Sequence, residues 1–394
     1  MMLSLSPRVL LAVVLLSALG GLAFAQRGGG PDPATDPFKG ISTDGNVQAG
    51  LFPIRATGVT TAPVREAAVA FVGTLTAEQR GKTTYPVDDI EWRRWNNVHR
   101  AVRQGIAFKE MSDAQKSAAV ALLRAGLSAK GLEKAQNIMR LNEHIAELTN
   151  NFTEYGEGLY HITIMGEPSD ARPWGWQLEG HHLIINYFVL RDQVVMTPTF
   201  MGSEPVDARS GKYEGTVVMQ DEQRKGLQLM RALSAEQQQK ATLQPEKTMN
   251  NAQAQAFRDN LVLPFQGVRV AEFTDAQRQL LLDLVNEYVA NMDGGHAKLR
   301  MDEVRAHLND TWFAWVGGAG DESVFYYRIH SPVILIEFDH QLPVALPGPR
   351  VPGRRHVHTV VRTPNGNDYG KDLLRQHYAA HKDDPAHGHA QTRN

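Results

Sequence analysis

The side chains best suited to chemistry in this sequence are histidines. In Arg354-Arg-His-Val-His-Thr-Val-Val-Arg362, strand alternation would put His356, His358 and Val360 on one face. Two imidazoles separated by one strand residue can converge on a single metal ion. A second set, Glu179-Gly-His-His182, interrupts an otherwise apolar strand. Alternation places Glu179 and His181 on one of its faces and His182 on the other. A third, Ile336-Glu-Phe-Asp-His340, ends an apolar strand with Glu337 and Asp339 on a shared face. Carboxylates there would cap a sheet edge in solvent, or Glu337 would enter a cleft as ligand or general base.

Taken together, these residues suggest a metal-dependent hydrolase. His182, His356 and His358 would hold a divalent ion such as zinc, with His181 as an alternate to His182. Glu337 or Glu179 would serve as general base on a metal-bound water. Arg328 and Arg362 would neutralise charge building on the substrate. The same residues suit a non-catalytic envelope module that binds a metal, peptide or glycan. They also suit a structural envelope protein with a buried polar network. Trp174 and Trp176 would form a core, or else an aromatic wall. His377 and His381, four residues apart, are expected on a solvated helix face. No Gly-x-Ser-x-Gly elbow, phosphate loop, dinucleotide fingerprint or His-Glu-x-x-His occurs. The absence of cysteine excludes thiol catalysis and thiolate metal sites.

The elements that would position these groups are written twice. Leu75-Thr-Ala-Glu-Gln-Arg-Gly-Lys82 returns as Leu233-Ser-Ala-Glu-Gln-Gln-Gln-Lys240, and Met111-Ser-Asp-Ala-Gln-Lys as Phe273-Thr-Asp-Ala-Gln-Arg. Gln104-Gly-Ile returns as Gln266-Gly-Val. In each of the four longer segments a hydroxyl stands three residues before Gln. This capping-box pattern predicts helix starts at Thr76, Ser112, Ser234 and Thr274. Helical spacing follows over 118–127 and 280–292. Strands are then expected at 159–165 and 311–316, and at 176–187 and 327–338.

Helices followed by strands argue for an α+β fold: an internally duplicated helix-then-antiparallel-sheet unit in a pseudo-twofold arrangement with a cleft between the copies. The copies differ where Glu179, His181, His182 and Asn186 face His330, Pro332, Val333 and Glu337, as a single asymmetric site would require. A stiff arm from Leu342 to Gly353, with four prolines, would carry the His-x-His strand across to the other copy.

The ends bound the compartment. Arg8, the apolar run Val9–Leu22 and Ala23-Phe24-Ala25 read as a signal peptide over 1–25. The expected organisation is then a flexible leader (26–60), a first copy (61–232), a second copy (233–381) and a disordered tail (382–394). His387 and His389 fall in that tail. The mature chain would be secreted or periplasmic, with no membrane span after signal cleavage. Acidic and basic residues nearly balance, 43 against 41. That balance argues against nucleic acid as a partner and for a small molecule, peptide or glycan.

Trp174-Gly-Trp-Gln-Leu-Glu-Gly-His-His182, the 327–339 strand region and His356-Val-His-Thr through Tyr369-Gly370 resemble a family of secreted bacterial proteins catalogued only as a domain of unknown function. The likeness spans about Ala62 to His377. It implies one integrated module and carries no activity.

Overall fold

The computed structural model describes residues 32–382. The segment expected as a signal peptide (1–25) and the tail histidines His387 and His389 lie outside the described residues.

The chain opens with helices α1 (Ala62–Thr74) and α2 (Ala77–Thr83), then short strands β1 (Thr84–Tyr85) and β2 (Ile106–Ala107). Helices α3 (Asp113–Gly126) and α4 (Ala129–Thr149) precede strands β3 (His161–Met165), β4 (Trp174–Gly180), β5 (Leu183–Leu190), β6 (Gln193–Val195) and β7 (Thr199–Ser203). Next come α5 (Gln220–Ala232), α6 (Ala235–Ala241), β8 (Thr242–Gln244), β9 (Val268–Arg269), α7 (Asp275–Val289) and α8 (Gly294–Ala306). Strands β10 (Trp312–Gly317), β11 (Phe325–His330), β12 (Leu335–His340) and β13 (Val357–Arg362) lead to α9 (Lys371–Ala380).

All four expected caps form. Thr76, Ser112, Ser234 and Thr274 each accept a bond from the N–H of the Gln three residues on, whose side chain accepts the cap's own N–H. A cap of this kind is worth about 1 kcal/mol. The boxes are also tied in pairs: Gln115 Nε2 donates to Gln79 Oε1 at 2.7 Å, and Gln277 Nε2 to Gln237 Oε1 at 2.9 Å. Each tie fixes one helix start against another.

The protein is a mixed α+β structure built on one 13-stranded sheet with main order β1-β3-β4-β5-β7-β13-β12-β11-β10-β8. Most neighbours are antiparallel, but β1–β3 and β8–β10 are parallel, so the sheet is not purely antiparallel as the sequence suggests. The regions 176–187 and 327–338 prove to be hairpins rather than single strands. The first turns at His181-His182, where His182 takes φ 62°. The second turns at Ser331-Pro332, where the Ser331 hydroxyl accepts the N–H of Val333 and Ile334. Neither turn carries the Asn-Gly or Asp-Gly pair of a tight hairpin, so neither is announced in the sequence.

Both sheet faces are covered. One packs Leu178, Tyr187, Trp315 and Phe338 against helical residues such as Leu122 and Leu284. Trp174 and Trp176 belong to this core, and Trp176 stacks on Tyr187 at 5.0 Å. The other face packs Ile184, Phe200, Leu335 and Val360 with Ile41, Trp95, Leu263 and Leu373. Residues 32–60, expected as a flexible leader, form part of this cover. Ser42 exchanges backbone bonds with Leu261 and Leu263, and Ile41 is fully buried.

His340, at the end of β12, is buried against Phe325 and Phe338. Its Nδ1 accepts the Phe325 N–H at 2.9 Å, so the proton sits on Nε2, 2.8 Å from Gln223 Oε1. Burial, aided by the Arg354 and Lys247 charges, pushes its pKa down to about 3. The unfolded chain therefore binds this proton first. The stability it contributes is complete above about pH 6.5 and falls by about 1.4 kcal/mol per unit as pH drops toward 3. Wild type is expected to lose about 2 kcal/mol of its advantage over His340→Gln between pH 7.5 and 5.0 in denaturant unfolding. An unchanged gap would contradict the buried neutral imidazole.

Candidate metal centre

Three segments meet at the middle of the sheet. The proline-rich arm delivers β13 between β7 and β12, with Gln341 N–H bonded to His356 O and Gly353 N–H to Gln341 O. His358 lies in β13 opposite Gly202 of β7 and Asp339 of β12. His356 immediately precedes that strand. His182 arrives from the β4–β5 turn, and its carbonyl accepts the Gly202 N–H at 2.8 Å. The left-handed backbone at His182 is uncommon for a residue with a Cβ.

The three Nε2 atoms form a small triangle. His182 to His356 is 3.2 Å, His182 to His358 is 3.1 Å and His356 to His358 is 3.0 Å. All three residues are buried, with exposures of 5, 5 and 8 %. His356 Nδ1 lies 2.6 Å from Leu342 O, which places its proton there and leaves a lone pair on Nε2. Burial, together with the neighbouring imidazoles, holds His182 and His358 well below the usual histidine range. Burial also lowers His356, against the upward pull of Glu204. Neutral rings aiming nitrogens at one point form a cation-binding arrangement, and this group can hold a metal ion. An ion bound here would be held by the Nε2 atoms of His182, His356 and His358.

Further residues support this triangle. Glu204 is buried and accepts the N–H groups of Val344, Ala345 and Leu346, pinning the arm, while its carboxylate lies 3.5 Å from His356 Nδ1. His181 stacks behind His182 at 3.9 Å, with Nδ1 on Asn142 Oδ1 at 2.8 Å. It therefore lines the centre and is not one of the three converging groups. Tyr155 and His99 pack against His181 at 5.3 and 5.5 Å. Sequence reasoning misses Glu204, Tyr155 and His99, because each is an isolated residue without a motif.

The other candidates are engaged elsewhere. Glu337 is fully buried, not at a solvated edge, and accepts the Tyr326 hydroxyl at 2.6 Å and the N–H groups of Gln253 and Ala254. Asp339 binds Lys247 and the amides of Asn251 and Ala252. Both carboxylates thus fasten the 250–254 loop to the sheet. Arg362 is clamped by Asp259 and Asp368 and donates to the carbonyls of Ala254 and Gln255. Arg328 donates to Gln266 Oε1 at 2.8 Å. Glu179 accepts the Asn96 N–H and lies 3.3 Å from Arg103 Nε. Burial outweighs that arginine and pushes the Glu179 carboxyl up to about 7. Among the described residues, no hydrogen bond or ion pair joins these groups to the three Nε2 atoms. His377, expected on a solvated face, is buried in α9.

Gly202 makes the approach of the rings possible. A Cβ there would sit 2.5 Å from Val357 O and 3.2–3.3 Å from the Cδ2 atoms of His358 and His182. Gly202→Ala is expected to destabilise the protein by about 1–3 kcal/mol in denaturant unfolding, the usual cost of overpacking. Wild-type stability in this variant would show that β7 and β13 are not so closely joined.

No curated protein and no solved structure matches the chain. Residues 57–371 match the family described as protein of unknown function (DUF3500), and the span takes in β1 to β13 and all three converging histidines. The chain belongs to that family.

Proposed function

We propose that this protein is an exported, metal-dependent enzyme, a hydrolase, whose ion is held by His182, His356 and His358. The observation that carries this reading is the triangle of buried Nε2 atoms 3.0–3.2 Å apart. A three-ligand set with an open position is the pattern of catalytic zinc, whereas structural zinc is closed by four. A divalent ion such as zinc would lower the pKa of a bound water toward 7 and supply the nucleophile. Of the two carboxylates assigned from sequence as base, Glu179 has the more suitable environment. Its carboxyl is pushed up to about 7 and it lies on the strand that leads into His181-His182. The substrate would be a small molecule, peptide or glycan outside the cytoplasm, the compartment implied by residues 1–25.

The centre would lie on the seam of a duplicated fold. Read from either edge, the main sheet order presents the same series, β1-β3-β4-β5-β7 against β8-β10-β11-β12-β13. Leu127, just after α3, and Met292, just after α7, form a mutual backbone bridge. A pseudo-twofold axis would then pass between β7 and β13. One half supplies His182 and the other His356 and His358. A second reading, a metal-binding module without turnover, is favoured by the low exposure of the three rings.

Metal analysis of untagged protein prepared without chelator tests the proposal. About one ion per chain is expected, lost in His356→Ala and His358→Ala and retained after removal of residues 383–394. Absence of an ion above background in wild type would overturn both readings. Hydrolysis of an ester, peptide or glycoside probe, slowed by Glu179→Gln with the ion retained, supports the enzyme. A stoichiometric ion without turnover supports the binding module.

A further inference from the structure

The helical side of the sheet contains a second feature that the metal centre does not use. A cavity of about 420 Å³ lies among α8, β6, β7, β13 and the 50–57 segment. This volume is within the range of small-molecule sites. Strand alternation separates it from the histidines. His358 packs with Phe200 on one face, while Met201, Thr359 and Val361 line the cavity on the other.

The interior is apolar, with Met196, Met201, Val289, Met292 and Ile334 on its walls. Three of these are methionines, whose flexible thioethers adapt to varied shapes. The mouth is polar, but its main charges are paired with one another. Arg300 donates to Glu303 at 2.8 Å, to Val333 O at 2.7 Å and to Thr363 Oγ1 at 3.0 Å. Arg55 lies 3.9 Å from the same Glu303. Gln193 accepts the Arg55 N–H and donates to Pro53 O, and so holds the 50–57 segment in the cavity wall. An ionic ligand would have to break these pairs or enter without a counter-charge, which is costly in a buried site. We infer that this cavity binds a small, largely apolar, uncharged molecule, on the opposite side of the sheet from the metal centre.

Binding of N-phenyl-1-naphthylamine, a neutral apolar fluorophore, to the detergent-free full chain tests the inference. Saturable fluorescence enhancement at one site is expected, with 1-decanol displacing the probe at about tenfold lower concentration than decanoate. Val361→Phe fills the interior, and Ala306→Trp obstructs the mouth from an exposed helix position. Each is expected to weaken binding about tenfold or more while circular dichroism shows a folded protein. Three results would each overturn the inference: no saturable binding in wild type, equal binding in both folded variants, or preference for decanoate.

Discussion

The structure is organised around an electrostatic constraint: three neutral imidazoles, removed from water, point their Nε2 atoms at one another. His182, His356 and His358 lie too close to share protons comfortably, and burial disfavours charging any of them. A cation bound at the three Nε2 atoms would remove that conflict. Much of the surrounding architecture serves this convergence. Gly202 leaves space for the rings, the arm brings His356 to the end of β13, and Glu204 holds the arm by three amides.

The centre of the sheet is well suited to such a group. Strands β7 and β13 have neighbours on both sides, so their positions are fixed by backbone ladders rather than by loops. His358 inherits that rigidity. His182 is different, because it belongs to a two-residue turn in a left-handed conformation, anchored through its carbonyl to Gly202. The polar groups on the same sheet face have another task. Glu337, Asp339 and Arg362 bind the backbone and side chains of the covering loops, so that face is closed by hydrogen bonds and ion pairs as well as by apolar contact.

The legible parts of this fold are those written locally. A hydroxyl three residues before glutamine defines a helix start whatever surrounds it, so Thr76, Ser112, Ser234 and Thr274 read directly. His356 and His358 read through strand alternation, and the distinctive Gly-His-His segment marked His182 as their companion. The turn at His181-His182 is not legible, because it lacks the Asn-Gly or Asp-Gly pair that marks a two-residue hairpin. Glu337 and Arg362 looked like parts of a cleft because polar residues in apolar strands suggest one. With both sheet faces covered, the same pattern serves to fasten loops. Glu204, Tyr155 and His99 come to the centre only through tertiary packing, and no spacing in the sequence announces them.

X-ray absorption at the edge of the bound metal, measured on protein prepared without chelator and lacking residues 383–394, tests the three-histidine centre most directly. Three imidazole nitrogens at about 2.0–2.1 Å are expected if the ion is zinc, with the imidazole scattering lost in a His182→Ala, His356→Ala, His358→Ala triple variant. An ion surrounded by oxygen ligands alone, or the same imidazole signature in that variant, would contradict it.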